Sequence, residues 1–154
     1  MDLSGLFKRK PKAAFSFADI KPGCDFHCHL LAGVDDGVQT IEESVDILNA
    51  MSKAGYGKAV LTPHMNPEIF PMNTETYIQA RFEDFISQTS GKHTVELSLG
   101  GEYMVTEDFC SRISESMLQI EPGKVLIEMS YLYPSPNIEK AIFELMMAGL
   151  TPVL

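Results

Sequence analysis

From Gly23 to its last residue this 154-residue chain repeats one unit: a short apolar stretch, a loop, then an amphipathic segment of helix length. That rhythm excludes most folds. Strands separated by helical crossovers pair in parallel, and a parallel sheet needs helices over its faces. The spacing predicts a first strand ending in His27-Cys28-His29, then strands over Lys58–Thr62, about Val95–Gly100 and Lys124–Met129, and a fifth beginning at Thr151. Helices are predicted over about 41–54, 74–88 and 137–148, with a short one over 107–117. In the first helix Ile41, Val45, Leu48 and Met51 recur at three- and four-residue steps and make one apolar face. Thr40 with Glu43 reads as its capping box, and Gly55 as its stop. Ser135-Pro136 reads as the cap and first-turn proline of the last helix. The fold class is therefore α/β, with a parallel sheet or a (β/α) barrel, and ligand groups belong at the carboxyl ends of the strands.

The chain divides into a basic arm, residues 1–20 with Lys8-Arg9-Lys10, and one domain over 21–154. Apolar residues make up 45% of the chain, enough to fill one core. The arm lacks the apolar centre of a secretory signal, and no apolar run is long enough for a transmembrane helix. A net charge of −9 makes a general nucleic-acid partner a poor expectation. Three cysteines at uneven spacing argue against a disulfide framework and for a reducing, cytoplasmic setting. The repeat breaks off inside its fifth strand, so the chain is expected to be the N-terminal part of a longer protein.

Metal-type ligands recur where the predicted strands meet their loops. His27 and His29 lie two apart on a strand, so both imidazoles point the same way and can reach one ion, at roughly 2.1 Å per nitrogen. Asp36 follows in Val34-Asp35-Asp36-Gly37, His64 directly follows Thr62-Pro63, and Glu102 follows Gly100-Gly101. Glu128 ends the apolar strand Val125-Leu126-Ile127, where a carboxylate needs a partner that the neighbouring sequence does not supply. Each motif alone is weak, and their recurrence at the same end of successive strands is the signal. Mixed imidazole and carboxylate donors favour manganese, iron or zinc over calcium or magnesium. Clustered ions of that kind suit hydrolysis of a phosphate ester, and a carboxylate such as Glu102 can bridge two of them. A cysteine-nucleophile phosphatase would need Arg six positions after its Cys; those positions hold Leu30, Val34 and Ser116. Cys28, alternating with the two histidines, reads as packing, and Cys24 as structural.

Asp25-x-His27-x-His29-Leu-Leu-x-Gly33-x-Asp35-Asp36-Gly37, then Thr62-Pro63-His64, Gly101-Glu102 and Leu126-Ile127-Glu128 resemble the PHP (polymerase and histidinol phosphatase) superfamily. The resemblance is closest to its branch of bacterial manganese-dependent tyrosine-protein phosphatases of capsular and exopolysaccharide operons, and runs from about Gly23 to the last residue. It implies a distorted (β/α)₇ barrel with up to three manganese ions, with iron or zinc as alternatives. It places His27, His29, Asp36, His64, Glu102 and Glu128 at ligand positions, with Glu102 bridging and no separate catalytic residue. It implies in-line attack on a phosphotyrosine phosphorus, with substrates in the tyrosine-rich tails of bacterial tyrosine autokinases. The family continues beyond the strand at Thr151 with His-Pro-Glu-Arg and later Asp-x-His segments, which this chain lacks. The expectation is an incomplete barrel with impaired phosphatase activity and an open sheet edge that invites homo-oligomers. Two other readings stay open: a different PHP phosphoesterase acting on a small substrate such as histidinol phosphate, and a non-catalytic assembly module.

Overall fold

A computed structural model describes residues 23–114, 116–130, 132–133 and 135–154, and the basic arm 1–20 lies outside the described residues. In chain order the elements are β1 (Cys24–Cys28), α1 (Ile41–Ala54), β2 (Lys58–Leu61), β3 (His64–Met65), α2 (Glu75–Thr89), β4 (Glu96–Leu99) and β5 (Glu102–Met104). A 3-10 turn at Phe109–Arg112 follows, then β6 (Lys124–Glu128), α3 (Ile138–Met147) and β7 (Thr151–Val153). Every pairing between these strands is parallel.

The second and third expected strands are β2 and β4, and each is followed, after a break, by a short further strand that the sequence did not predict. Pro63 has no amide hydrogen to give to a ladder, so β2 stops at Leu61 and β3 starts at His64. Gly100-Gly101 makes the matching break between β4 and β5. The pieces sort into two sheets, β1-β2-β4 and β3-β5-β6-β7. Backbone bonds cross the break: the Gly100 amide donates to the Leu61 carbonyl at 2.8 Å, and the Glu102 amide donates to the Pro63 carbonyl at 3.0 Å. The two sheets are thus one bent wall in which spatial order follows chain order. A doubly wound sheet would reverse direction at a switch point; among the described residues no reversal occurs, which is the barrel arrangement.

Both faces of the wall are buried, as parallel sheets require. Ala59, Leu61, Val125 and Ile127 join the main core with Leu48 of α1, Ile78 of α2 and Leu145 of α3. The alternate residues Val60 and Leu126 form a second cluster with Ile120, against which Cys24 and Val153 pack. Cys28 packs on the main core, with its thiol donating to the Val60 carbonyl.

α1 begins at the expected capping box: Thr40 Oγ1 accepts from the Glu43 amide, and Glu43 Oε2 accepts from the Thr40 amide, both at 3.2 Å. Two expectations need correction. The helix expected over 107–117 is only the four-residue turn at Phe109–Arg112. There Arg112 donates to the Met104 carbonyl and to Thr106 Oγ1, which ties the segment to the end of β5 and competes with helical pairing. The last helix is capped at Asn137, not at Ser135, whose hydroxyl donates to the Val105 carbonyl.

The break at Gly100-Gly101 demands glycine for space. A Cβ on Gly100 would sit 2.9 Å from Ile120 Cγ2 and 3.2 Å from Val60 Cγ1; one on Gly101 would sit 2.9 Å from Met65 Cγ. Gly100→Ala is therefore expected to destabilise the chain by about 1–3 kcal/mol through overpacking. Thermal unfolding checks this, and an unchanged Tm would contradict it.

Candidate metal centre

The bent wall brings all six predicted ligands to one end. His27 lies near the end of β1 and His29 just past it. The break after Pro63 makes His64 the first residue of β3, in register with Glu102, the first residue of β5. Glu128 closes β6 opposite Met104. Asp36 enters from the β1–α1 loop.

Three overlapping groups result, each with donor atoms within 4.8 Å of one another: His27, His29 and Glu102; His29, Asp36 and His64; and His64, Glu102 and Glu128. Glu102 lies between the histidines. Its Oε1 is 2.9 Å from His27 Nε2, and its Oε2 is 3.1 Å from His64 Nδ1 and 3.3 Å from His29 Nε2. Glu128 Oε1 meets His64 Nδ1 at 2.8 Å, which supplies the partner that the apolar strand demanded. Asp36 is the outlier: its side chain is 73% exposed and its Oδ1 stands 3.4 Å from His64 Nε2.

Two observations fit this donor set to cations. Glu102 Oε2 is buried without a hydrogen-bond partner, although two imidazole nitrogens stand close by. The Nε2 atoms of His27 and His29 face each other at 3.3 Å. Lone pairs aimed at common points are satisfied by a shared Lewis acid.

Asp35, in the loop, organises the cluster and went unassigned in the sequence. Its carboxylate is fully buried. One oxygen takes the Gly37 amide at 3.0 Å; the other takes His29 Nδ1 at 2.9 Å and the His64 amide at 3.0 Å. Holding Nδ1 leaves His29 Nε2 to face the cluster, the usual device for orienting a metal-binding imidazole. Gly37 is required there, because a Cβ on it would run into the carbonyl oxygen and Cβ of His29. Asn73 clamps the same region by donating to the carbonyls of Val34 and His64, and the Phe70 ring stacks on His64 with centroids 5.6 Å apart and planes 3° apart. The only sequence signal for Asp35 was the doubled Asp before Gly; Phe70 and Asn73 left none.

The titration behaviour follows these contacts. The hydrogen bond to Asp35 and the close carboxylate of Glu102 outweigh burial and raise the His29 pKa to about 10. Glu128, by its hydrogen bond, raises that of His64 against the effect of burial. Burial alone would raise the Asp35 carboxyl, but the bonds from His29 and from the Gly37 and His64 amides hold it below its ordinary value. Glu102 is likewise lowered, burial being overcome by the three histidines around it.

For chelator-treated protein the signs are fixed. Raised histidine pKa values stabilise the fold fully below about 6.5, the unfolded value, and that contribution disappears as pH rises towards 10. The lowered Asp35 contributes above its ordinary value and is lost in acid. The Tm of wild type relative to His29→Gln should therefore shrink between pH 6.5 and 10, and a constant difference would contradict the assignment. Asp35→Ala strands two buried amides and an imidazole nitrogen, and is expected to cost about 2–4 kcal/mol in denaturant unfolding. A loss below about 1 kcal/mol would remove Asp35 from its organising role.

Comparison with known proteins places the chain in a family. Residues 23–154 match the family model described as capsular polysaccharide synthesis, CpsB/CapC. The chain is 28% identical over 136 residues to the tyrosine-protein phosphatase CpsB of Streptococcus agalactiae, a match covering 84% of this chain and 54% of that protein. It is 25% identical over 137 residues to the tyrosine-protein phosphatase YwqE of Bacillus subtilis, covering 84% and 52%. In structure it is similar, at a TM-score of 0.74 and 20% identity, to a chain from the crystal structures of YwqE from Bacillus subtilis and CpsB from Streptococcus pneumoniae, described as unique metal-dependent tyrosine phosphatases. That match covers 84% of this chain and 53% of the other. The chain thus spans about half the length of the curated relatives it matches, and its fold is that part of their α/β barrel. On the match to residues 23–154, the chain belongs to the CpsB/CapC family of capsular polysaccharide synthesis.

Proposed function

We propose that this chain carries the principal metal-binding part of a manganese-dependent protein-tyrosine phosphatase. The observation that carries the reading is the set of three donor groups sharing His29, His64 and Glu102 at one end of a parallel wall. His27, His29, Asp36, His64, Glu102 and Glu128 would hold the ions, with Glu102 common to two groups. Divalent ions bound there supply Lewis acidity to a phosphoryl group and to the water that attacks it. The protein's own part is to fix the donors, through Asp35 and Asn73, and to keep Glu102 buried beside them. The substrate in this reading is a phosphotyrosine-bearing protein, such as the tail of a tyrosine autokinase in polysaccharide synthesis, handled on the cytoplasmic side.

The donor arithmetic limits what these residues do unaided. Three imidazoles with one lone pair each and three carboxylates with two oxygens each offer about nine donor atoms. Three six-coordinate manganese ions would call for about eighteen. Among the described residues no Lys or Arg lines the cleft beside His64 and Glu128 to meet a phosphate. Water, the substrate or other parts of a longer protein must supply the rest.

A manganese titration with metal analysis is the first test. The chain should bind manganese, and replacing both His27 and His29 by Ala should weaken binding by more than about a hundredfold. Hydrolysis of p-nitrophenyl phosphate by the 154-residue chain should be manganese-dependent and well below that of full-length YwqE. Failure to bind manganese, or hydrolysis unaffected by a chelator, would contradict the reading.

A further inference from the structure

The domain carries its charge unevenly from pole to pole. In a parallel wall with helical crossovers, the carboxyl ends of the strands share one pole with the first turns of the helices. The amino ends of the strands share the other with the last turns. The first pole holds Asp36, Glu102 and Glu128, and the first turns of α1, α2 and α3 add Glu43, Glu75 and Glu139. The second pole holds lysines. Lys58 opens β2, Lys124 opens β6, Lys53 lies in the last turn of α1, and Lys92 precedes β4. Lys53 and Lys92 are exposed, while Lys58 and Lys124 face Glu96 and Glu121 at 3.4 and 2.6 Å. Charges of both signs are thus mixed at this pole, whereas the pole of the candidate metal centre is strongly acidic.

The basic arm joins the domain at the mixed pole. The Gly23 carbonyl accepts from the amides of Gly57 and Lys58, at 3.1 and 3.2 Å, which fixes the root of the arm beside Lys58. Residues 3–18 hold Lys8, Arg9, Lys10 and Lys12 and no acidic residue, in a chain whose net charge is −9. Apolar residues flank the cluster, with Leu3, Leu6 and Phe7 before it and Phe15 and Phe17 after it. A basic cluster alone suits any polyanion. Apolar side chains immediately beside it favour a lipid surface, where headgroups hold the cations while the apolar groups leave water for the acyl boundary. A single-stranded nucleic acid would use the same cations, with Phe7 stacked on a base, but offers Leu3 and Leu6 nothing comparable. An anionic surface also attracts the arm and repels the acidic pole, so it orients the domain. We propose that residues 3–17 anchor the domain to an anionic lipid surface, with Lys8, Arg9, Lys10 and Lys12 on the headgroups and Leu6 and Phe7 entering the interface. The pole rooted at Gly23 then faces the lipid, and the candidate metal centre faces away from it. The proposal is independent of the phosphatase reading.

The chain contains no Trp, so Phe7→Trp supplies a single fluorescent reporter within the arm. This variant is titrated with vesicles of phosphatidylcholine alone and with vesicles containing about a third phosphatidylglycerol. The emission should shift to the blue only on the anionic vesicles, and binding should weaken as salt screens the exposed charges. Replacing Lys8, Arg9 and Lys10 together by Gln in the same background should lower the affinity about a hundredfold, each cation near an anionic surface being worth about a factor of five. Leu132→Trp, with the arm unchanged, puts the reporter in an exposed loop at the pole of the metal centre. Brominated lipid in the anionic vesicles should quench the Phe7→Trp reporter and leave the Leu132→Trp reporter bright. No binding to anionic vesicles, equal binding to neutral ones, or an affinity unchanged by the triple Gln replacement would overturn the anchor. Tighter binding to a single-stranded oligonucleotide than to the anionic vesicles would assign the arm to nucleic acid and overturn it as well. Equal quenching of the two reporters would overturn the orientation.

Discussion

One buried carboxylate holds the site together. Asp35 accepts from the ring of His29, from the amide of Gly37 and from the amide of His64, and so joins the β1–α1 loop to the start of β3. A carboxylate without charged or hydrogen-bonding partners would be costly in that position. With three donors around it, it becomes a fixed anchor from which two cluster histidines take their directions. Gly37 makes the tight return possible by letting the loop backbone press against His29. The donor geometry is thus set by a residue that is in none of the three donor groups.

The second constraint is the paired break in the wall. Pro63 and Gly100-Gly101 interrupt neighbouring strands at the same height, and the wall bends there. Each break restarts a strand on a candidate ligand, His64 in β3 and Glu102 in β5, which then face each other in register. The glycines have no room for side chains, because Ile120, Val60 and Met65 fill the space where the strand turns. Backbone geometry, core packing and ligand placement are therefore one feature, and Glu102 arrives beside three imidazoles as a consequence of where the strand bends.

Most of this was legible in the sequence because it depends on local patterns. The 3.6-residue apolar period and the Thr40–Glu43 box located α1, and the apolar runs located the strands except β3 and β5, which follow breaks. The candidate ligand positions followed from alternation and from strand ends. What escaped were features that depend on long-range contact. The doubled Asp gave no hint that the first member organises and the second reaches outward; only the approach of His64 distinguishes them. Phe70 left no signal in the sequence, because its ring stacks on His64 only in the folded chain. The segment 107–117 looked helical because its bonds to Met104 and Thr106 were not visible in its own composition.

The central claim is that the Glu102 carboxylate would be shared between adjacent ions, so that the overlapping donor groups would form a cluster and not a set of separate sites. Low-temperature electron paramagnetic resonance of the chain loaded with excess manganese, then freed of unbound ion, tests this directly. Ions sharing the Glu102 carboxylate would lie close enough to couple magnetically. The account predicts a broad, exchange-coupled spectrum that collapses towards that of an isolated ion in Glu102→Gln. A wild-type spectrum showing only the hyperfine pattern of isolated manganese at full loading would contradict it.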